Sequence, residues 1–102
     1  MRLATVLGQV VATVKEPGLD RFSLLVVQDG ITSAEPDAPA ATPYVAVDLV
    51  GAGVGELVLV VGGSTARVAA SAVTGADCPT DQAVVGIADT VIERGTVTYR
   101  KS

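Results

Sequence analysis

The residue types that could do chemistry are few. Asp48, Asp81 and Asp89 could be read as an acid/base set, and Ser64-Thr65 offers two hydroxyls for nucleophilic attack. Neither group has what its chemistry requires. The chain contains no histidine, so a serine nucleophile lacks its usual general base, and no lysine lies near it in sequence. None of the three carboxylates sits in a motif with a partner. They read as strand-end and loop acceptors for backbone or Arg donors. Cys78 is the single cysteine, which excludes an intrachain disulfide and a Cys/His zinc site. Next to Pro79 it reads as a small loop residue. No base, nucleophile and oxyanion donor come together. The expectation is a protein that is not an enzyme, with no catalytic residue, no metal and no cofactor.

The other chemical candidate is a glycine-rich turn. Val45 to Arg67 reads VAVDLVGAGVGELVLVVGGSTAR, strand, turn and strand. A phosphate-binding loop needs a helix N-terminus directly after its glycines. Here Gly55-Glu56 leads instead into Leu57-Val58-Leu59-Val60-Val61, a β-branched apolar run closed by Gly62-Gly63. That is a buried strand. The spacing is neither G-x-G-x-x-G nor one ending in Gly-Lys-Ser/Thr. Glu56 and Arg67 flank this strand and are expected to pair, within or between subunits.

The surrounding elements are short strands. Residues 3–14 alternate as a first strand, with Gly8 marking a bulge or bend. Phe22 to Gln28 forms the second. Residues 29–43, with Pro36, Pro39 and Pro43, are an extended exposed loop. Tyr44–Val50 and Glu56–Val61 are the third and fourth strands. Ser64 to Ala70 has a cap residue followed by helix formers, one or two turns. Pro79 to Gln82 could start another single turn, and Ala83–Ala88 is the fifth strand. A final hairpin turns at Glu93-Arg94-Gly95 into Thr96–Tyr99, with Val97 and Tyr99 on one face. The pattern is all-β: a small five-stranded antiparallel barrel with one or two short helical turns, one domain over residues 1–102.

Apolar residues make up 49 % of the 102 positions and charged residues 18 %, the latter against about 25 % in ordinary soluble domains. No apolar run approaches the ~20 residues a membrane span needs, and Thr5, Gly8, Gln9 and Thr13 interrupt any signal-peptide pattern at the N-terminus. Strands apolar on both faces must be covered on both. In a single-layer barrel that points to another subunit, since obligate oligomers bury core-like surface. The net charge of −4 argues against nucleic-acid and anionic-membrane partners. A small OB-type binding module, for an oligonucleotide or a protein ligand, is the alternative. Oligonucleotide binding would need stacking aromatics and a basic groove, whereas Phe22, Tyr44 and Tyr99 are the only aromatics.

Several segments carry a family resemblance. Met1–Ala4 with Gly8–Thr13, Lys15-Glu16-Pro17, Leu24–Val27, Val45–Asp48, Val50–Glu56, Gly63–Arg67 and Asp81–Asp89 resemble, in order and spacing, the bacterial-microcompartment vertex family, EutN/CcmL. Two departures stand out: Leu57 where the family commonly has Trp, and Gly62 where it has Ser. The resemblance implies an OB-like barrel assembled as a ring pentamer. Such a pentamer caps the vertices of a polyhedral shell in the bacterial cytoplasm, next to hexagonal shell proteins. It implies that Gly51, Ala52, Gly53, Gly55 and Glu56, with Gly63, Ser64, Thr65, Ala66 and Arg67, lie at subunit contacts or near the axial pore. The ending Val97–Lys101 looks closer to vertex proteins of catabolic shells (metabolosomes) than to those of carboxysomes.

Overall fold

The computed structural model describes residues 1–13, 15–31 and 41–101. Five strands, β1 (Arg2–Val10), β2 (Ser23–Asp29), β3 (Tyr44–Asp48), β4 (Leu57–Gly62) and β5 (Gln82–Ile87), close into a barrel in the order β1-β2-β3-β5-β4. β4 returns to β1, Arg2 facing Val60 and Thr5 facing Leu57. All pairings are antiparallel except β3 with β5, which is parallel. The centre of the 29–43 loop, residues 32–40, lies outside the described residues, as does Val14.

Period-2 alternation fills the interior. Ala4, Val6, Leu25, Val27, Ala46, Val58, Val60 and Val84 form a core inside the barrel. The register of β1 slips between Val6 and Gly8, so Leu7 is the extra residue of a bulge beside the expected glycine. β1 stops at Val10, short of the expected residue 14; Val10 faces Leu24, and β2 extends only one residue further, to its start at Ser23. β3 ends at Asp48 rather than Val50 because the Asp48 side chain turns the following backbone back on itself.

Helix α1 (Gly63–Thr74) runs about three turns, longer than the sequence signals suggest. Gly62 occupies the cap position in extended conformation with no side-chain cap. The Gly63 N–H donates to the Asp81 carbonyl at 2.8 Å, and Ser64, expected to cap, lies exposed inside the first turn. Ala66 and Ala70 pack on a second core of Phe22, Val47, Val61, Cys78 and Ala83. The helix therefore covers the outer face of part of the barrel. This corrects the deduction that only another subunit could do so. No helical turn forms at Pro79–Gln82: the Thr80 hydroxyl donates to the Gln82 carbonyl at 2.8 Å and leads the chain extended into β5.

Beyond β5, β6 (Thr90–Glu93) and β7 (Thr96–Arg100) form a separate two-stranded hairpin. Arg94 and Gly95 have φ of +51° and +78°, the positive pair of a type I′ turn, whose twist suits a hairpin. Val97 faces Ile92 and Tyr99 faces Val91, with Thr98 extra between them. Adjacent residues of β6 alternate faces, so this bulge separates Val97 from Tyr99, contrary to the expected shared face.

Candidate functional site

The two motif groups do not come together. Gly51–Glu56 enters β4 and Gly63–Arg67 leaves it, so the six residues of the strand hold them about 20 Å apart.

At the first end, the Asp48 carboxylate accepts three backbone N–H groups. Those of Val50 and Gly51 reach Oδ1, both at 3.1 Å, and that of Ala52 reaches Oδ2 at 2.9 Å. The strand-end role expected for this carboxylate is what it performs. The turn needs φ of +79° at Gly51 and +88° at Gly55, conformations that a Cβ disfavours. Gly55 donates to the Val6 carbonyl at 2.8 Å and Val6 to the Glu56 carbonyl at 3.0 Å, which zips the turn onto the β1 bulge. Gly53 does not meet foreign backbone: a Cβ there would lie 3.3 Å from Glu56 Oε1. Its N–H donates to that same oxygen at 2.6 Å. Gly51, Gly53, Val54 and Gly55 are exposed, so this end presents a rigid, mostly backbone surface.

Within the protomer Glu56 does not pair with Arg67. Its Oε2 accepts from Lys101 Nζ at 2.7 Å, which ties the end of the hairpin to the glycine turn. Lys101 first, and then the Gly53 N–H, hold the Glu56 carboxyl below its ordinary range, and Glu56 raises the Lys101 ammonium in return. Arg67 instead makes a two-pronged pair with Asp77, Nε to Oδ1 at 2.8 Å and the second arm to Oδ2. Each strengthens the charged form of the other, but the pair is largely exposed and adds little to stability. The predicted partners are at opposite ends of β4, and that distance is the reason for the exchange.

At the second end, Gly63, Ser64, Thr65 and Arg67 are exposed, but Ala66 is fully buried in the protomer's own core. Its side chain is thus spent on packing under α1. Cys78 is buried in that core as well, and burial pushes its thiol up, away from reactivity. Among the described residues, no group of three or more His, Cys, Asp or Glu gathers as a metal would require. No described helix is long and apolar enough to cross a membrane.

Sequence inspection missed one cluster. Arg2, from β1, donates to Asp29 Oδ2 at 3.0 Å and to the Gln82 side chain. Its guanidinium lies 4.7 Å from the centroid of the Tyr44 ring, a cation–π distance. The Tyr44 hydroxyl donates to Asp29 Oδ1 at 2.7 Å. Burial first, then this carboxylate, pushes the Tyr44 pKa up to about 12. The cluster joins β1, β2, β3 and β5 at one rim. No motif announces it, because its members are far apart in sequence and only barrel closure brings them together.

The described structure includes a closed five-stranded barrel with one α-helix on its flank, a separate two-stranded hairpin, and exposed glycines at both ends of β4. Residues 1–89 match the family described as ethanolamine utilisation protein EutN/carboxysome. The chain is 44 % identical over 101 residues to the bacterial microcompartment shell vertex protein EutN of Escherichia coli, covering 99 % of this chain and 100 % of that protein. It is 47 % identical over 91 residues to the carboxysome shell vertex protein CcmL of Synechocystis, covering 89 % and 85 %. Among solved structures, an ethanolamine utilization protein EutN superposes with a TM-score of 0.81 at 41 % identity, both chains fully covered. The GrpN pentameric microcompartment shell protein of Rhodospirillum rubrum gives 0.70 at 42 % identity, covering 91 % of this chain and 98 % of that one. This chain belongs to the EutN/CcmL family.

Proposed function

We propose that this protein is a vertex subunit of a bacterial microcompartment shell, a homopentamer whose role is structural and not enzymatic. The observation that carries this is the similarity to EutN of Escherichia coli, which runs through 99 % of the chain and leaves none of that protein uncovered. The structural likeness to a protein described as pentameric supports the five-fold state. A ring of more than two subunits needs head-to-tail contacts between two different surfaces of each protomer. Gly51, Ala52, Gly53, Gly55 and Glu56 at one end of β4, and Gly63, Ser64, Thr65 and Arg67 at the other, are the two flanks we assign to subunit contacts or the axial opening. Ala66 supports the second flank from inside. The partners on this reading are four further copies and the hexagonal shell proteins, in the cytoplasm. A single domain spanning 1–102 is part of the same proposal.

A metabolosome is the preferred shell. The PduN vertex protein of Salmonella typhimurium is 50 % identical over 92 residues, although carboxysome relatives are close behind. Nothing observed favours the alternative of an OB-type binding module. Native mass spectrometry of the purified chain is the test: a five-fold mass is expected, and a stable monomer would overturn the proposal. Co-expression with hexagonal shell proteins of each kind separates the two compartments, since closed particles are expected with metabolosome tiles and open ones with carboxysome tiles.

A further inference from the structure

The chain has no asparagine and a single Asp-Gly pair, Asp29-Gly30. That pair carries a chemistry of its own. The Gly30 amide nitrogen can attack the side-chain carbon Cγ of Asp29, because a glycine has no Cβ to crowd the approach. The side chain reacts as its neutral acid. An N–Cγ bond forms, a Cγ–O bond breaks, and the carboxyl hydroxyl leaves as water with the amide hydrogen. A five-membered succinimide remains, and water opens it. Addition at Cγ restores aspartate; addition at the main-chain carbonyl carbon leaves isoaspartate, with the backbone rerouted through the side chain.

Burial does not prevent this. The Asp29 side chain is 36 % exposed, so water reaches it, and what opposes the reaction is geometry. Asp29 is the last residue of β2, and side chains on a strand stand roughly perpendicular to the sheet. Each carboxylate oxygen is separately gripped: Oδ1 accepts from the Tyr44 hydroxyl at 2.7 Å and Oδ2 from Arg2 at 3.0 Å. The grip is itself braced, because Arg2 stacks on the Tyr44 ring at 4.7 Å and donates to the Gln82 side chain at 2.5 Å. The nucleophile is engaged as well. The Gly30 N–H donates to the Leu3 carbonyl at 2.9 Å, and the Gly30 carbonyl accepts from the Thr5 hydroxyl at 2.9 Å. Attack needs nitrogen and carbon aligned at about 3–3.5 Å, and both partners must first let go.

We infer that Asp29-Gly30 is a site of spontaneous isoaspartate formation, and that the Arg2–Tyr44 clamp on the Asp29 carboxylate holds it in check. Arg2 and Tyr44 act as positioning residues, keeping the electrophile away from the nitrogen beside it. Isoaspartate adds one atom to the main chain where Gly30 bonds to Leu3 and Thr5, so the modified chain loses that end of the β1–β2 pairing.

The experiment ages the full chain in neutral buffer and counts isoaspartate at residue 29 by peptide mapping, which separates the two isomers of equal mass. Wild type, Tyr44→Phe and Arg2→Met are compared, with circular dichroism to check that each barrel is intact. Tyr44→Phe keeps the ring that packs on the barrel core. Each variant removes one donor to a charged acceptor, so isoaspartate is expected to accumulate about tenfold faster than in the wild type. Exchange of the Gly30 amide, whose partner is Leu3, is expected to stay at the wild-type rate. Equal accumulation in all three chains overturns the clamp. So does a Gly30 amide that exchanges faster in step with isomerisation, which assigns the protection to the backbone bond. The wild type aged in urea needs no variant: it is expected to form isoaspartate at residue 29 faster than either folded variant. An unfolded chain that forms none there overturns the site itself.

Discussion

The barrel and the C-terminal hairpin are built from the same kind of strand and end in opposite situations. Each of the five barrel strands has a neighbour on both sides, so the barrel has no open edge. Its interior side chains are almost entirely withdrawn from water, Ala4, Val27, Val58, Val60 and Val84 completely so. The hairpin has two strands, two open edges and no buried residue. Closure, rather than strand propensity, decides which apolar residues are protected. The barrel holds the stability, and the hairpin is left with surface to offer.

The largest effect should come from breaking the barrel side of this contrast. Leu57 is 1 % exposed at the start of β4. Leu57→Ala is expected to cost about 2–5 kcal/mol in a urea titration, from lost burial and the cavity left behind. Ile92→Ala, an apolar truncation in the exposed hairpin, should stay within about 0.5 kcal/mol for the isolated protomer. Equal losses would mean that the hairpin is as much a part of the core as β4.

A smaller loss is expected at the glycine turn. Asp48 holds three amides at once, and that of Ala52 is partly buried. Asp48→Ala should cost about 1–2 kcal/mol, since the exposed amides can turn to water and the partly buried one cannot do so freely. Amide exchange at residues 50–52 should accelerate more than exchange in β2. Unchanged protection there would show that the turn is held by its glycines and by the bonds to β1 alone.

The junction of the two regions should respond to pH. Lys101 and the Gly53 N–H lower the Glu56 pKa, so that contribution is present above the ordinary carboxylate value of about 4.3 and is lost as pH falls through the depressed folded value. The Lys101 pKa is raised, so its contribution is complete below about 10.4 and is lost as pH rises through the elevated one. The tether thus holds from about pH 5 to about pH 10. On acidification below about pH 4, NMR signals of residues 96–101 should broaden or shift while those of Val58 and Val60 stay in place. Glu56→Gln should remove the acid transition. Persistence of that transition in the variant would assign it to another carboxylate.

What the sequence made legible follows the same division. Period-2 alternation and glycine turns located all five barrel strands, because those signals are local and the fold agrees with them. The length of α1 was not legible: Ser64 resembles a cap, yet the helix is set by Gly62 and by Gly63 donating to Asp81, a contact from a distant segment. The partners of Glu56 and Arg67 were missed for a related reason. Flanking one strand looks like proximity in sequence but is the full length of that strand in space, and Lys101 arrives from 45 residues away. The cluster of Arg2, Asp29, Tyr44 and Gln82 had no local signal at all. Of the ten motif residues, burial of Ala66 could have been suspected from its spacing to Ala70 on one helix face.

The smallest expected effect tests whether the two regions melt as one. Arg94 holds φ +51° in the hairpin turn, a conformation that is unfavourable for a long side chain and that asparagine tolerates far better. Arg94→Asn should stabilise the hairpin by a few tenths of a kcal/mol to about 1 kcal/mol. Because, among the described residues, β6 pairs only with β7, the hairpin can open while the barrel stays closed, as weakly packed segments do. The gain should therefore appear as slower exchange of the amides in β6 and β7 of the isolated protomer, with the barrel's melting temperature unchanged. If the melting temperature rises with the hairpin's protection, the two form one cooperative unit, and β6 and β7 belong energetically to the barrel despite pairing apart from it.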